Sequence, residues 1–264
     1  LFQRLASSST AAICSAMQKR LDRLMIGEEP TLDDYSQEVD SNILDNGDEP
    51  DFNITGQWEA GFLINELELL TDLIAQAKDC LVTETDAKAD ALLKKIKELQ
   101  ATSSDRDLKF LVFTEFRSTQ SMLIDFFKMN GYSTAFIHGG QELDERKRTL
   151  SRFRDEAQIL IATDAAGESL NMQFCHIVFN YDIPWNPMII EQRIGRVDRI
   201  GQKHPVEAYN LLTNNSVDIR VYEVIEEKLN FIIDQLGIDK TSDVLDSTIE
   251  MKKVNKLYLQ SLMD

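Results

Sequence analysis

Eleven residues, Gln192-Arg193-Ile194-Gly195-Arg196-Val197-Asp198-Arg199-Ile200-Gly201-Gln202, hold three arginines and two glutamines, side chains that can bind a phosphate. Arg196 and Arg199 are three residues apart, a spacing that puts both on one face of a helix or of its last turn. A guanidinium is a permanently charged planar fork that matches the oxygens of a phosphate. Gly195 allows close backbone approach, and Gln192 can hydrogen-bond a ligand one turn earlier. Two such arginines presented across a cleft to a γ-phosphate are arginine fingers, worth roughly 10³–10⁵ in rate. An isolated Arg-x-x-Arg is ordinarily a solvated basic helix end making surface ion pairs, so the surroundings decide its meaning.

Those surroundings lack the other half of a nucleotide site. No GxxxxGK[ST] phosphate loop occurs, and no Asp-Glu-x-His box that would hold magnesium. A complete NTPase needs both. The arginines are therefore expected to form one wall of a site whose phosphates and metal are held elsewhere. Three dispersed cysteines (Cys14, Cys80, Cys175) and three dispersed histidines (His138, His176, His204) offer no metal-ligand spacing and no disulfide framework.

The elements that must position these residues follow from hydrophobic pattern. Phe110–Phe113, Tyr132–Ile137, Gln158–Ala162, Ile177–Asn180 and Val206–Leu212 read as strands. Several are continuous apolar runs, as expected for a sheet covered on both faces. Helices are expected at Ser118–Met129, Glu142–Phe153 and around Pro187–Val197. Strands alternating with helices at this spacing predict a doubly wound α/β domain. Upstream, Ser9–Ile26 predicts an amphipathic helix with a basic polar face of Lys19, Arg20 and Arg23, joined by Arg4. The stretch from Trp58 to Gln100 is helical again, with two apolar stripes. Asp218–Leu236 and Ser247–Met263 predict two further helices. Trp58 with Phe62 at i+4 reads as packing core, and Trp185 as a packing anchor or a base-stacking ring.

Composition is that of a soluble globular protein, at 43% hydrophobic and 28% charged residues. No apolar run approaches the roughly 18 residues that span a bilayer, and no signal peptide is recognisable, so a cytoplasmic location is expected. The chain does not start with Met, which suggests part of a longer protein. The net charge of −17 is localised: between Arg23 and Lys78 there are fourteen acids and no Lys or Arg, and the rest is close to neutral. Residues 28–56 lose periodicity and are rich in Asp, Asn, Gly and Pro. They read as a solvated insertion, or as a phosphate mimic that competes with DNA for a basic groove.

Taken in order, the motifs of residues 110–202 resemble the second lobe of superfamily 2 helicases, in the Swi/Snf-type branch of double-stranded DNA translocases. Leu111–Phe116 is similar to motif IV, His138-Gly139-Gly140 with Glu145-Arg146 to motif IVa, and Ile161–Asn171 to motif V. Tyr181–Pro187 running into Glu191–Gln202 is similar to the Va–VI block. Within the branch the chain looks most like bacterial RapA-like proteins, and residues 4–24 resemble the helical segment that joins their lobes.

The resemblance implies a RecA-like doubly wound parallel sheet with an added N-terminal helical region. It implies a helical protrusion over 1–105, the helicase C-terminal lobe over 106–215 and a helical extension over 216–264. It makes Arg196 and Arg199 the fingers, with Gln192, Gly195, Gly167, Ser169 and Asn171 beside the nucleotide. Thr163 would meet a nucleic-acid phosphate, and Thr114, His138, Gly139 and Gly140 would face the DNA backbone. Ser169 departs from the family, which more often has glycine there; its hydroxymethyl group would either crowd the nucleotide or hydrogen-bond it. The implied cofactor is ATP with Mg²⁺, held mainly by an N-terminal RecA-like lobe. The implied partners are that lobe, duplex DNA, and RNA polymerase or another DNA-bound protein. Alternatives that share the lobe are a strand-separating DNA or RNA helicase, an ATPase of a restriction or defence system, and a noncatalytic binding module.

Overall fold

A computed structural model describes residues 2–27, 60–105, 107–164, 171–184, 187–213 and 219. The acidic stretch 28–56, Trp58, the Phe62 side chain, Gly167, Ser169, Trp185 and almost all of the two expected C-terminal helices lie outside the described residues.

Five strands form one parallel sheet: β1 (Phe110–Thr114), β2 (Thr134–Ile137), β3 (Ile159–Thr163), β4 (Ile177–Asn180) and β5 (Glu207–Asn210). Their order is β2-β3-β1-β4-β5, so the chain leaves β1 in one direction and later crosses back over it to reach β4. All five residues of β1 and of β3 are buried, which explains why they are apolar without alternation. Side-chain parity divides the core into two layers. On one face Phe110, Val112, Ile159, Ile161, Ile177 and Phe179 pack against Leu123 and Phe127 of helix α5 (Arg117–Met129) and against Leu92 and Ile96 of helix α4 (Ala87–Thr102). On the other face Leu111, Phe113, Leu160, Ala162 and Val178 pack against Phe153 of helix α6 (Leu143–Asp155), Met172, Cys175 and Val197. The doubly wound α/β expectation is met, and all five strand positions agree with the sequence reading to within two residues.

The N-terminal region differs in detail. Helix α1 (Phe2–Ser8), which the sequence reading missed, precedes the expected helix, here α2 (Thr10–Met25). Ser9 separates them and caps α2 by accepting the Ala12 amide at 3.1 Å. The stretch after residue 58 is two helices, α3 (Ala60–Thr83) and α4. They are separated at Glu84–Asp86, where Asp86 accepts the Lys88 and Ala89 amides and starts α4. Cys14 and Met17 of α2 pack on Leu70 and Ile74 of α3. Leu5, Ala12 and Ala16 cover Phe116, so α1 and α2 sit directly on the end of β1.

Candidate functional site

In open parallel α/β sheets, ligands bind outside the carboxyl ends of the strands, where strand order reverses. Here those ends are Thr114-Glu115 after β1, Thr163-Asp164 at the end of β3 and Asn180-Tyr181-Asp182 at the end of β4. One residue gathers all three. Arg193, on helix α7 (Pro187–Ile194), is 2% exposed. Its Nε and Nη2 donate to the two Asp164 carboxylate oxygens at 2.6 and 2.8 Å. Its Nη1 donates to Asn180 Oδ1 at 2.9 Å and to the Asp182 carbonyl at 2.8 Å, and the guanidinium lies 5.2 Å from the centre of the Phe113 ring. The bidentate geometry is the strong form of such a pair. The sequence reading assigned Arg193 no role of its own. The available signal was its place in the apolar stripe Ile190, Arg193, Val197, all of which are buried.

Asp182 is a second node. Its carboxylate accepts from the Thr114 hydroxyl and from the Glu115 amide, the latter at 3.0 Å, and lies 3.5 Å from the Lys88 ammonium. Lys88 also donates to the Ser7 carbonyl at 3.1 Å and sits 4.8 Å from the centre of the Tyr181 ring. The Tyr181 hydroxyl donates to Asp86 at 2.9 Å, and burial pushes its phenol pKa well above the ordinary value, which keeps it a donor. Thus α1 and α4 are joined by polar contacts to the sheet edge that carries the site.

Glu115 is buried beside this network and pairs with Arg4 at 2.6 Å. Burial outweighs the Arg4 charge, and Asp164 and Asp182 add to the effect, so the Glu115 carboxyl is pushed up to about 7. Between the ordinary value of 4.5 and about 7, the folded protein keeps a proton that the unfolded chain has released. Folding stability should therefore fall as pH rises through that window, by about 3 kcal/mol at most. Urea unfolding of the wild type between pH 4.5 and 7.5 should show this slope, and Glu115→Gln should flatten it. An equal slope in both proteins would remove Glu115 as its source.

The finger candidates stand just beyond α7 rather than on it. The helix ends at Ile194 and continues as tight turns: Arg196 N donates to Arg193 O at 3.2 Å, Val197 N to Ile194 O at 3.0 Å and Asp198 N to Ile194 O at 2.9 Å. Val197, fully buried in the second core layer, pins the turn from below. Arg196 is half-buried; Arg199 is exposed, with its Nε donating to the Gly195 carbonyl at 3.2 Å. Gln192 is also exposed. The far side of the turn is fastened by two carboxamides. Gln202 Nε2 lies 3.0 Å from the carbonyls of Gln173, Cys175 and Val197, and Gln173 Nε2 donates to Ile200 O at 2.7 Å. Gly201 bridges these anchors at φ +103°, which a side chain would strain.

The remaining candidates divide. His138-Gly139-Gly140 form the turn after β2, braced by Gln141 Oε1 accepting His138 N at 3.1 Å and by Arg146 Nη2 donating to Gly139 O at 2.6 Å. Gly140 is exposed, and a Cβ there would come within 2.7 Å of Arg117 Nη2. Thr114 and Thr163 are both 0% exposed, and the Thr114 hydroxyl turns inward to Asp182, so neither presents its hydroxyl at the surface. Asn171 is exposed and accepts the Gln173 amide at 3.2 Å.

Residues 87–201 match the family model for the helicase conserved C-terminal domain. This segment is similar to helicase C-terminal domains. Curated relatives agree. The chain is 39% identical over 149 residues to the uncharacterized ATP-dependent helicase YqhH of Bacillus subtilis (strain 168), covering 56% of this chain and 26% of that protein. It is 34% identical over 149 residues to the RNA polymerase-associated protein RapA of Pseudomonas putida (strain KT2440), covering 55% of this chain and 15% of that protein. The chain thus spans about a quarter or less of the length of these relatives. Among solved structures, the C-terminal part of the Fun30 ATPase domain superposes with a TM-score of 0.52 at 17% identity, over 95% of this chain and 74% of that one. The Pyrococcus furiosus Hef helicase domain superposes with a TM-score of 0.51 at 21% identity, over 82% and 39%. These two likenesses establish the RecA-like helicase fold. The resemblance to RapA-like members of the Swi/Snf-type superfamily 2 branch, drawn from the motifs, is borne out.

Proposed function

We propose that this helicase C-terminal domain works as one half of an ATP-driven double-stranded DNA translocase, with Arg196 and Arg199 reaching the γ-phosphate of an ATP held by a second lobe. The observation that carries the reading is the fastened turn Gly195–Gln202. It sets one half-buried and one exposed guanidinium just beyond the end of α7. Arg196, Arg199 and Gln192 fit a triphosphate: two cationic forks and one amide, all on or beside one turn. Among the described residues no group of three or more His, Cys, Asp or Glu is arranged to hold a metal ion. On this reading the magnesium of Mg-ATP would be held by the other lobe, where it would neutralise developing phosphate charge.

Arg196 and Arg199 gain charge-assisted hydrogen bonds only when the cleft closes on bound nucleotide, so ATP favours the closed arrangement and loss of the γ-phosphate releases it. The braced turn His138–Gly140, with Arg117 beside it, supplies a backbone-binding edge for nucleic acid. Contacts to phosphates are sequence-independent and weaken steeply with salt. A relative is named for association with RNA polymerase, which makes a DNA-bound polymerase a natural obstacle for such a translocase.

Purified alone, residues 1–264 should hydrolyse ATP no faster than buffer, whereas the full-length protein should show ATPase activity stimulated by duplex DNA. Robust turnover by the isolated chain would refute the split-site reading. A translocase should displace the third strand of a triplex without unwinding the duplex beneath it; duplex unwinding would favour the strand-separating helicase instead.

A further inference from the structure

We infer that Arg193 is a positioning residue for the arginine fingers: its buried side chain indexes the finger turn to three strand ends of the sheet. The inference rests on the split-site reading and concerns how the fingers are held.

Helix α7 has eight residues, too few to be stable by its own hydrogen bonds. Its placement must come from docking. Arg193 supplies this from the last turn of the helix, with four hydrogen bonds reaching Asp164 after β3 and Asn180 and Asp182 at β4, and with its guanidinium near the Phe113 ring of β1. The same residue's carbonyl accepts the Arg196 amide at 3.2 Å. One residue therefore touches the sheet with its side chain and the first finger with its backbone. The Arg196 carbonyl in turn accepts the Met172 amide at 3.1 Å. Asp164 and Met172 are thus both tied to this element, Asp164 to the Arg193 side chain and Met172 to the Arg196 backbone. One hydrogen-bonded turn separates Arg193 from Arg196, so a tilt of α7 would displace the finger with it. Displacement of a reacting group by about 1 Å can cost about 10²-fold in rate.

The geometry also explains why arginine is required. Lysine carries one point charge and cannot satisfy a bidentate carboxylate, an amide oxygen and a backbone carbonyl together. Removing one partner of a buried pair strands the other charge, whereas removing both is far better tolerated. The doubly neutral variant Arg193→Met with Asp164→Asn therefore separates folding from positioning.

The test uses the full-length protein. Thermal unfolding, ATP KM and DNA-stimulated kcat are measured for wild type, Arg193→Lys, Arg193→Met/Asp164→Asn and, as control, Arg196→Ala/Arg199→Ala. The expected result is that the double variant unfolds within a few degrees of wild type and keeps its ATP KM, while kcat falls about 10²-fold; Arg193→Lys should not rescue it. If the control loses kcat but the double variant keeps it, positioning by Arg193 is overturned. If the control itself keeps kcat, it is the finger reading that fails.

Discussion

Replacing Arg196 and Arg199 together with alanine in the full-length protein is expected to lower DNA-stimulated ATP turnover by roughly 10³–10⁵-fold while leaving ATP affinity nearly unchanged. The split follows from where each interaction is made. On the split-site reading, most ground-state binding of Mg-ATP would belong to the lobe with the phosphate loop, whereas the closed-state contacts of the arginines would strengthen as charge develops on the departing γ-phosphoryl group. Loss of an interaction much stronger in the transition state than in the ground state lowers kcat far more than it raises KM. Folding should be unaffected, because Arg199 is exposed and Arg196 only half-buried. Single substitutions should be unequal. Arg196 follows directly on the anchored end of α7, and its backbone is held on both sides by Arg193 and Met172. Its loss should be the more damaging of the two. Stopped-turnover assays with equilibrium nucleotide binding check both statements; a raised KM with normal kcat would assign the arginines to binding.

The second large effect is on stability. Arg193→Met alone is expected to destabilise this chain by about 3–5 kcal/mol, the cost of breaking a buried pair from one side. Asp164 would be left one-tenth exposed without its guanidinium, and Asn180 Oδ1 and the Asp182 carbonyl would lose a donor beneath the sheet edge. Methionine fills most of the volume, so the loss is electrostatic rather than a cavity. Urea unfolding of the 264-residue chain should show the shift in midpoint. Adding Asp164→Asn should restore most of it, giving a coupling energy far from zero in a double-mutant cycle. A shift below about 1 kcal/mol would mean that water reaches the pair.

Much of the architecture was legible because two signals were strong. Continuous apolar runs such as Phe110–Phe113 and Ile159–Ala162 can only be buried on both faces, and they predicted a parallel sheet. The Gln192–Gln202 block placed the arginines at a helix end. What escaped was short or long-range. Helix α1 has seven residues, fewer than two turns of pattern, and exists because Leu5 covers Phe116. The break at Glu84–Asp86 lay inside a run whose helical period continues on both sides, and only the capping carboxylate of Asp86 marks it. Thr114 was expected to face nucleic acid, but its hydroxyl is claimed by Asp182, a partner 68 residues away that no local pattern could pair with it. Arg193 was hidden for the opposite reason: in a motif rich in arginines, the buried one looks like the exposed ones.

The contacts of α1 with the sheet edge bear on where this lobe can be divided. Sequence similarity draws the family boundary at residue 87, yet side chains draw it further upstream. An excised piece beginning there would uncover Phe116, which Leu5, Ala12 and Ala16 now shield, and would strip the buried Glu115 of its guanidinium. Such a piece would carry a fresh apolar scar beside an orphaned acid at its most functional edge. The stretch joined by side-chain packing and the stretch matched by homology are therefore not the same.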